Sequence, residues 1–136
     1  EIESIDVYIH TDEGVIGKGA AAATPVITGD FTSGMEEAIL GPMRSCLIGQ
    51  NIIQFQQLLQ GIQMSCIGNS SAKAAVDIAL YDVYCQYQNV PLYALLGGKK
   101  EIHTDITVSV DEPVLMAKEA KKHVEKGFQT LKIKVG

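Results

Sequence analysis

Residues 2–10 alternate strictly. Ile2, Ser4, Asp6, Tyr8 and His10 fall on one face of an extended segment, and Glu3, Ile5, Val7 and Ile9 on the other. The second set holds three β-branched apolar side chains, which predicts a strand with one buried face. Asp12-Glu13-Gly14 reads as a turn in which glycine is free to take positive φ. Residues 15–23 return as a second, glycine-rich strand. A hairpin alone is marginal, so a helix layer or a further strand must cover it. That further strand is expected ahead of Glu1, since the chain opens without Met and already in strand rhythm. Thr24-Pro25-Val26-Ile27-Thr28-Gly29-Asp30 reads as a loop punctuated by Pro25 and Gly29. Its two central apolar side chains either pack beneath it or dip into a ligand site from a lid.

A helical period takes over next. Thr32 or Ser33 is placed to cap a first helix, with Glu36 and Glu37 in its opening turns and Gly41-Pro42 interrupting it. Residues 51–64 predict a glutamine-rich helix with Ile52, Phe55, Leu58, Leu59 and Ile62 on one side. Asn69-Ser70-Ser71 is the expected cap of a third helix, where Ala72, Ala75, Val76, Ala79, Leu80 and Val83 recur at helical spacing. So many alanines imply close backbone approach, helix on helix or helix on barrel. Pro91, residues 92–96 and a Gly97-Gly98 stop follow.

After Lys99-Lys100 the rhythm changes. Residues 102–110 predict a strand, and Asp111-Glu112-Pro113 a helix start with Asp111 as N-cap. Val114, Ala117, Ala120 and Val124 form the expected apolar stripe, Gly127 ends the helix, and residues 129–135 predict another strand. A strand–helix–strand unit implies a right-handed crossover and parallel strands. It cannot bury both its faces alone, so it reads as the opening of a larger α/β sheet or barrel.

With 136 residues, 46% of them hydrophobic, 20% charged and a net charge of −5, the chain has the balance of a soluble globular protein. It carries no basic stripe for nucleic acid and no apolar run of membrane-spanning length. Cys46, Cys66 and Cys85 form no C-x-x-C pair and are odd in number, which fits reduced thiols in a cytoplasmic protein.

Most candidate chemistry is weak. Gly14, Gly17 and Gly19 lack the dinucleotide spacing. Asp77 and Asp82 lie on different sides of a helix, and His10, His103 and His123 lack metal-ligand spacing. The informative segment is Thr130-Leu131-Lys132-Ile133-Lys134-Val135-Gly136. Alternation places Lys132 and Lys134 on one face of a strand and Leu131, Ile133 and Val135 on the other. In an open sheet the lysines simply face water and deter aggregation. Inside a barrel they require carboxylates, a metal or an anionic substrate nearby. There each ammonium disfavours the other's charge, the direction that lets a lysine take a carbon-bound proton.

Taken together, Gly68-Asn69, residues 72–82, Val90-Pro91-Leu92-Tyr93 and Leu95-Leu96-Gly97-Gly98 resemble the signature that closes the N-terminal capping domain of the enolase superfamily. Gly127-Phe128 and residues 131–136 resemble the K-x-K strand of its muconate-lactonising subgroup. The loop at residues 24–29 is similar to that of dipeptide epimerases of the L-Ala-D/L-Glu type, although Ala21 and Ala23 stand where relatives often carry Glu and Pro. The resemblance implies an α+β capping domain over residues 1–99, an antiparallel hairpin or meander followed by a helical bundle. Residues 100–136 would then be the first β-α-β unit of a TIM-type barrel. It implies that Lys134 takes the substrate α-proton and Lys132 supplies positive charge. It places Thr107 in the same pocket and has Ile27 and Thr28 touch substrate from the cap. It implies Mg²⁺ in the full-length protein, with its ligands and an opposing lysine beyond Gly136. The expected partners are a dipeptide and further copies of the chain, with no nucleic acid and no membrane. Muconate cycloisomerase or o-succinylbenzoate synthase activity is the alternative within the superfamily, and a non-catalytic binding or assembly module the alternative outside it.

Overall fold

The computed structural model describes residues 3–98 and 101–136. The expected strand position of Ile2 and the Lys99-Lys100 junction lie outside the described residues. The chain divides into two compact units, Glu1–Gly98 and Lys99–Gly136.

In the first unit β1 (Ser4–His10) pairs antiparallel with β2 (Ile16–Ala22), with Val7 opposite Gly19 and Ile9 opposite Gly17. The burial follows the alternation: Val7 is buried, Ile5 and Ile9 are half-buried, and Ser4, Asp6, Tyr8 and His10 are exposed. A single turn of helix, α1 (Pro25–Thr28), occupies the segment expected to be a loop. Proline is pre-organised for a first helical turn, and Gly29 ends it at φ 79°, donating its N–H to the Pro25 carbonyl at 3.1 Å.

The helices α2 (Thr32–Ala38) and α3 (Arg44–Leu47) are joined by a π-helical turn, Ile39–Met43. Gly41-Pro42 therefore widens the helix rather than interrupting it. Proline has no N–H to bond back and its ring crowds the carbonyl four residues earlier, which a wider turn relieves. Phe31, not Thr32 or Ser33, occupies the N-cap of α2, and Glu36 and Glu37 fall after its first turn. The Thr32 hydroxyl instead donates to the Glu3 carboxylate.

Asn51 caps a short 3₁₀ turn, Ile52–Gln54, by accepting the Ile53 N–H at 2.9 Å, and leads into α4 (Phe55–Met64). Phe55, Leu58 and Ile62 of α4 are buried. They meet α5 (Ser70–Gln88), where Phe55 stacks on Tyr84 with ring centroids 4.0 Å apart and meets Tyr81 edge-on at 4.8 Å. The C-terminal end of α4 is closed from α5: the Lys73 ammonium donates to the carbonyls of Gln63 at 2.8 Å and Cys66 at 2.6 Å. Replacing Lys73 by Met keeps the stem but strips both charged donors from partly desolvated carbonyls. Urea denaturation should show a loss of about 1–2 kcal/mol.

The alanine face of α5 lies on the hairpin, not on another helix or a barrel. Gly17 and Gly19 stand on the inner face of β2, with the fully buried Ala75 and Ala79 against them, and Ala72 on the same helix is fully buried as well. Polar side chains of α5 complete the contact along the outer edge of β2. Asp82 accepts the Lys18 N–H at 2.9 Å, and Gln86 donates to the Ile16 carbonyl at 2.9 Å. The unit closes with α6 (Leu92–Leu95), after which Gly97 and Gly98 take positive φ.

In the second unit β3 (Ile106–Val108) and β4 (Leu131–Ile133) pair in parallel, joined through α7 (Pro113–Glu125). Both strands are shorter than the alternation predicts, because a ladder extends only as far as a partner does. The N-cap of α7 is Glu112, with Pro113 at the first position. Asp111 sits one residue further out, accepting the Glu112 N–H at 2.7 Å. The partly buried positions on α7 are Met116, Ala120 and His123; Ala120 belongs to the expected stripe, whereas Met116 and His123 lie to one side of it. Val114 and Val124 are exposed in this unit, because two short strands cover only the part of the helix that crosses them.

Candidate functional site

Strand periodicity carries the lysines. Register places Thr107 beside Lys132 and Val108 beside Ile133, and the Lys134 N–H donates to the Val108 carbonyl at 3.0 Å. Directly paired residues share a face and neighbours along a strand oppose each other. Thr107, Lys132 and Lys134 therefore stand together on one face of the ribbon. Ile106, Val108, Leu131 and Ile133 stand on the other, where Val108 is fully buried. Both lysines are exposed within this unit. Two residues along a strand span about 6.6 Å, so one small anion can meet both ammonium groups. This face offers two cationic donors and one hydroxyl. It suits a carboxylate-bearing ligand and a lysine-borne proton transfer.

The other expected site residues, Ile27 and Thr28, belong to the first unit. Ile27 is 81% exposed and its neighbour Val26 is 96% exposed, so neither packs beneath the loop. Thr28 turns its hydroxyl to its own segment, donating to the Thr24 carbonyl at 3.3 Å and accepting the Asp30 N–H at 3.3 Å. Asp30 is the one buried charged residue among the described residues, at 9% exposure. Spacing gives it no role. The local signal was an aspartate following a loop, but its partner, the Ser71 N–H, lies 41 residues away.

Burial perturbs two further titratable groups. Burial pushes the Cys85 thiol up, with Asp82 adding to it, so the sulfur stays protonated and poorly nucleophilic. Burial also raises Asp77, opposed by a hydrogen bond from Gln63. Asp82 is engaged by the β2 backbone. Among the described residues no group of three His, Cys, Asp or Glu side chains is placed to hold a metal ion. No helix among them is long and apolar enough to cross a membrane.

A family model described as the mandelate racemase / muconate lactonizing enzyme N-terminal domain matches residues 3–97. The chain is 45% identical to an L-Ala-D/L-Glu epimerase of Clostridium acetobutylicum, over 99% of this chain and 38% of that protein. It is similar, at TM-score 0.93 and 45% identity, to a substrate-liganded L-Ala-D/L-Glu epimerase from Bacillus subtilis, covering 98% of this chain and 38% of that one. A dipeptide epimerase from Methylococcus capsulatus, complexed with Mg and the dipeptide L-Arg-D-Lys, matches at TM-score 0.88 and 28% identity, over 97% of this chain and 38% of that one. The chain spans about 38% of the length of the curated relatives it matches.

Proposed function

Because the chain belongs to the mandelate racemase / muconate lactonizing enzyme family of the enolase superfamily, we propose that the whole protein is a dipeptide epimerase working by 1,1-proton transfer. The observation that carries this reading is the shared face of Thr107, Lys132 and Lys134. Lys134, at the C-terminal end of its strand, takes the α-proton of a dipeptide from one side, as barrel enzymes place chemistry at strand ends. Charge then builds on the substrate carboxylate as an enediolate. The Lys132 ammonium stabilises that charge where it develops, and Thr107 lines the same pocket. Lys134 keeps that proton, and an opposing lysine supplied by the rest of the protein would deliver another to the opposite side, inverting the centre. From the capping unit, Ile27 and Thr28 meet the substrate's side chains, a reading supported by the exposure of α1 and by the dipeptide epimerases among the relatives.

The described residues do not fit a magnesium site: the shared face is cationic, and no group of three acidic, His or Cys side chains is placed together among them. Mg²⁺ is therefore assigned to the whole protein with ligands from other positions, in keeping with the Mg-complexed relative. Isothermal titration of the 136-residue chain with Mg²⁺ should be silent, while the full-length enzyme binds the ion and loses activity to a chelator. Tight stoichiometric binding by the 136 residues would contradict the assignment.

The activity itself is tested by incubating the full-length protein with a dipeptide library in deuterated water. Epimerisation with deuterium entering the α-position is expected, L-Ala-D/L-Glu being the first candidate. An intact protein that exchanges no α-proton in any dipeptide sinks the reading, as does a reading frame that ends near Gly136.

A further inference from the structure

We propose that Asp30 is a positioning residue: its buried carboxylate closes the N-terminus of α5 and thereby sets the pose of α1, the turn that carries Ile27 and Thr28. The inference rests on the reading that α1 touches the dipeptide.

An N-cap residue ordinarily sits in extended backbone so that its side chain reaches the first free N–H groups of the helix. Asn69, at that position of α5, is instead left-handed at φ 51°, ψ 42°, and its side chain makes no capping bond. The missing acceptor comes from elsewhere in the chain. Asp30 Oδ2 faces the Ser71 N–H at 3.4 Å, at the positive end of a 19-residue helix. The bond is long, but it meets one of the N–H groups that the first turn of a helix leaves without an intrahelical partner.

No residue of α1 is buried. Hydrophobic packing therefore does not locate this turn. Its outer ends converge on Glu3, whose carbonyl accepts the Ala23 N–H at 2.9 Å and whose carboxylate accepts the Thr32 hydroxyl. Between those ends the inward tether is Asp30. It is linked to α1 through its own N–H to the Thr28 hydroxyl, which bonds in turn to the Thr24 carbonyl. Moving the carboxylate moves Thr28, and with it the exposed Ile27.

The test uses the full-length enzyme with Asp30→Ala, Asp30→Asn and Ile27→Ala, assayed well below each unfolding midpoint. Asp30→Ala should raise KM for the dipeptide by about tenfold with kcat within about threefold, as expected when binding geometry rather than the chemical step is lost. Hydrogen exchange at the amides of residues 26–29 should quicken by about tenfold. Asp30→Asn keeps an acceptor oxygen and should recover most of both effects. Ile27→Ala should raise KM without altering exchange at Ser71. If Ile27→Ala leaves KM and dipeptide preference unchanged, the substrate contact fails and the inference goes with it. If Ile27→Ala raises KM while Asp30→Ala changes only the unfolding midpoint, the contact stands and the positioning role is overturned.

Discussion

Gly19→Val should leave the hairpin unable to dock on α5, and Gly19→Ala should already destabilise the protein by on the order of 3 kcal/mol, near the upper end for overpacking. A β-carbon at position 19 would lie 2.0 Å from the Ala75 carbonyl oxygen and 2.9 Å from the Ala79 nitrogen. These are backbone atoms of a long helix and cannot swing aside as a flexible side chain does. The neighbouring face is already alanine, so no larger group remains to shrink. The hairpin would have to lift away, uncovering Val7 and losing the bonds from Asp82 and Gln86 to its edge. Thermal unfolding followed by circular dichroism should show a fall of roughly 10 °C or more for the alanine variant. Gly34→Ala is the matched control. That glycine lies within α2 with nothing near its β-position, so alanine should be neutral or stabilise by up to about 1 kcal/mol. A Gly19→Ala protein as stable as the parent would show that α5 does not ride on β2 as described.

The second large effect is catalytic. Lys134→Ala in the full-length enzyme should lower epimerisation and α-proton exchange by about 10³-fold, the scale of a lost general base. Its circular dichroism spectrum and unfolding midpoint should stay close to the parent's, so that the loss reads on the chemistry. Arginine separates the base from mere charge. Lys134→Arg keeps the positive charge but cannot give up its proton in the neutral range, so it should be as inactive as alanine. Lys132→Arg preserves the charge that its proposed role needs and should keep more activity than Lys132→Ala. Equal rates for Lys134→Arg and the parent enzyme would remove the base assignment.

Much of this was legible before any coordinates. The period of two in residues 3–10 named the buried face of β1 correctly, because a pleated strand with one face in the core admits few other patterns. The spacing of Phe55, Leu58 and Ile62 named the buried side of α4 for the analogous helical reason. The lysines share a face with each other for the same geometric reason as Ile5 and Val7 do. Capping was read only in part. Asn69 holds the N-cap position of α5 as expected, although its side chain makes no capping bond and the Ser71 N–H meets Asp30. Thr32 and Asp111 also have the chemistry of an N-cap, yet the Thr32 hydroxyl goes to Glu3 and the Asp111 carboxylate to the next N–H. Local propensity says which residue is able to cap but not which partner reaches it first.

Residue order alone was enough to establish the hairpin, the apolar faces of α4 and α5, the β-α-β rhythm of residues 102–135 and the alternation that puts Lys132 opposite its neighbours Leu131 and Ile133. All of these follow from backbone periods of two or 3.6, which neighbouring residues impose on one another. Folding in three dimensions settled the rest: that α5 rides on the glycines of β2, that Met116 and His123 are the covered positions of α7 beside Ala120, that Pro42 is absorbed in a π turn, that Lys73 closes the end of the preceding helix, and that Asp30 meets a helix start 41 residues away. A periodic pattern specifies which side of an element must be covered. What covers it depends on shape, on glycine-sized gaps and on polar groups that meet only once distant segments have come together.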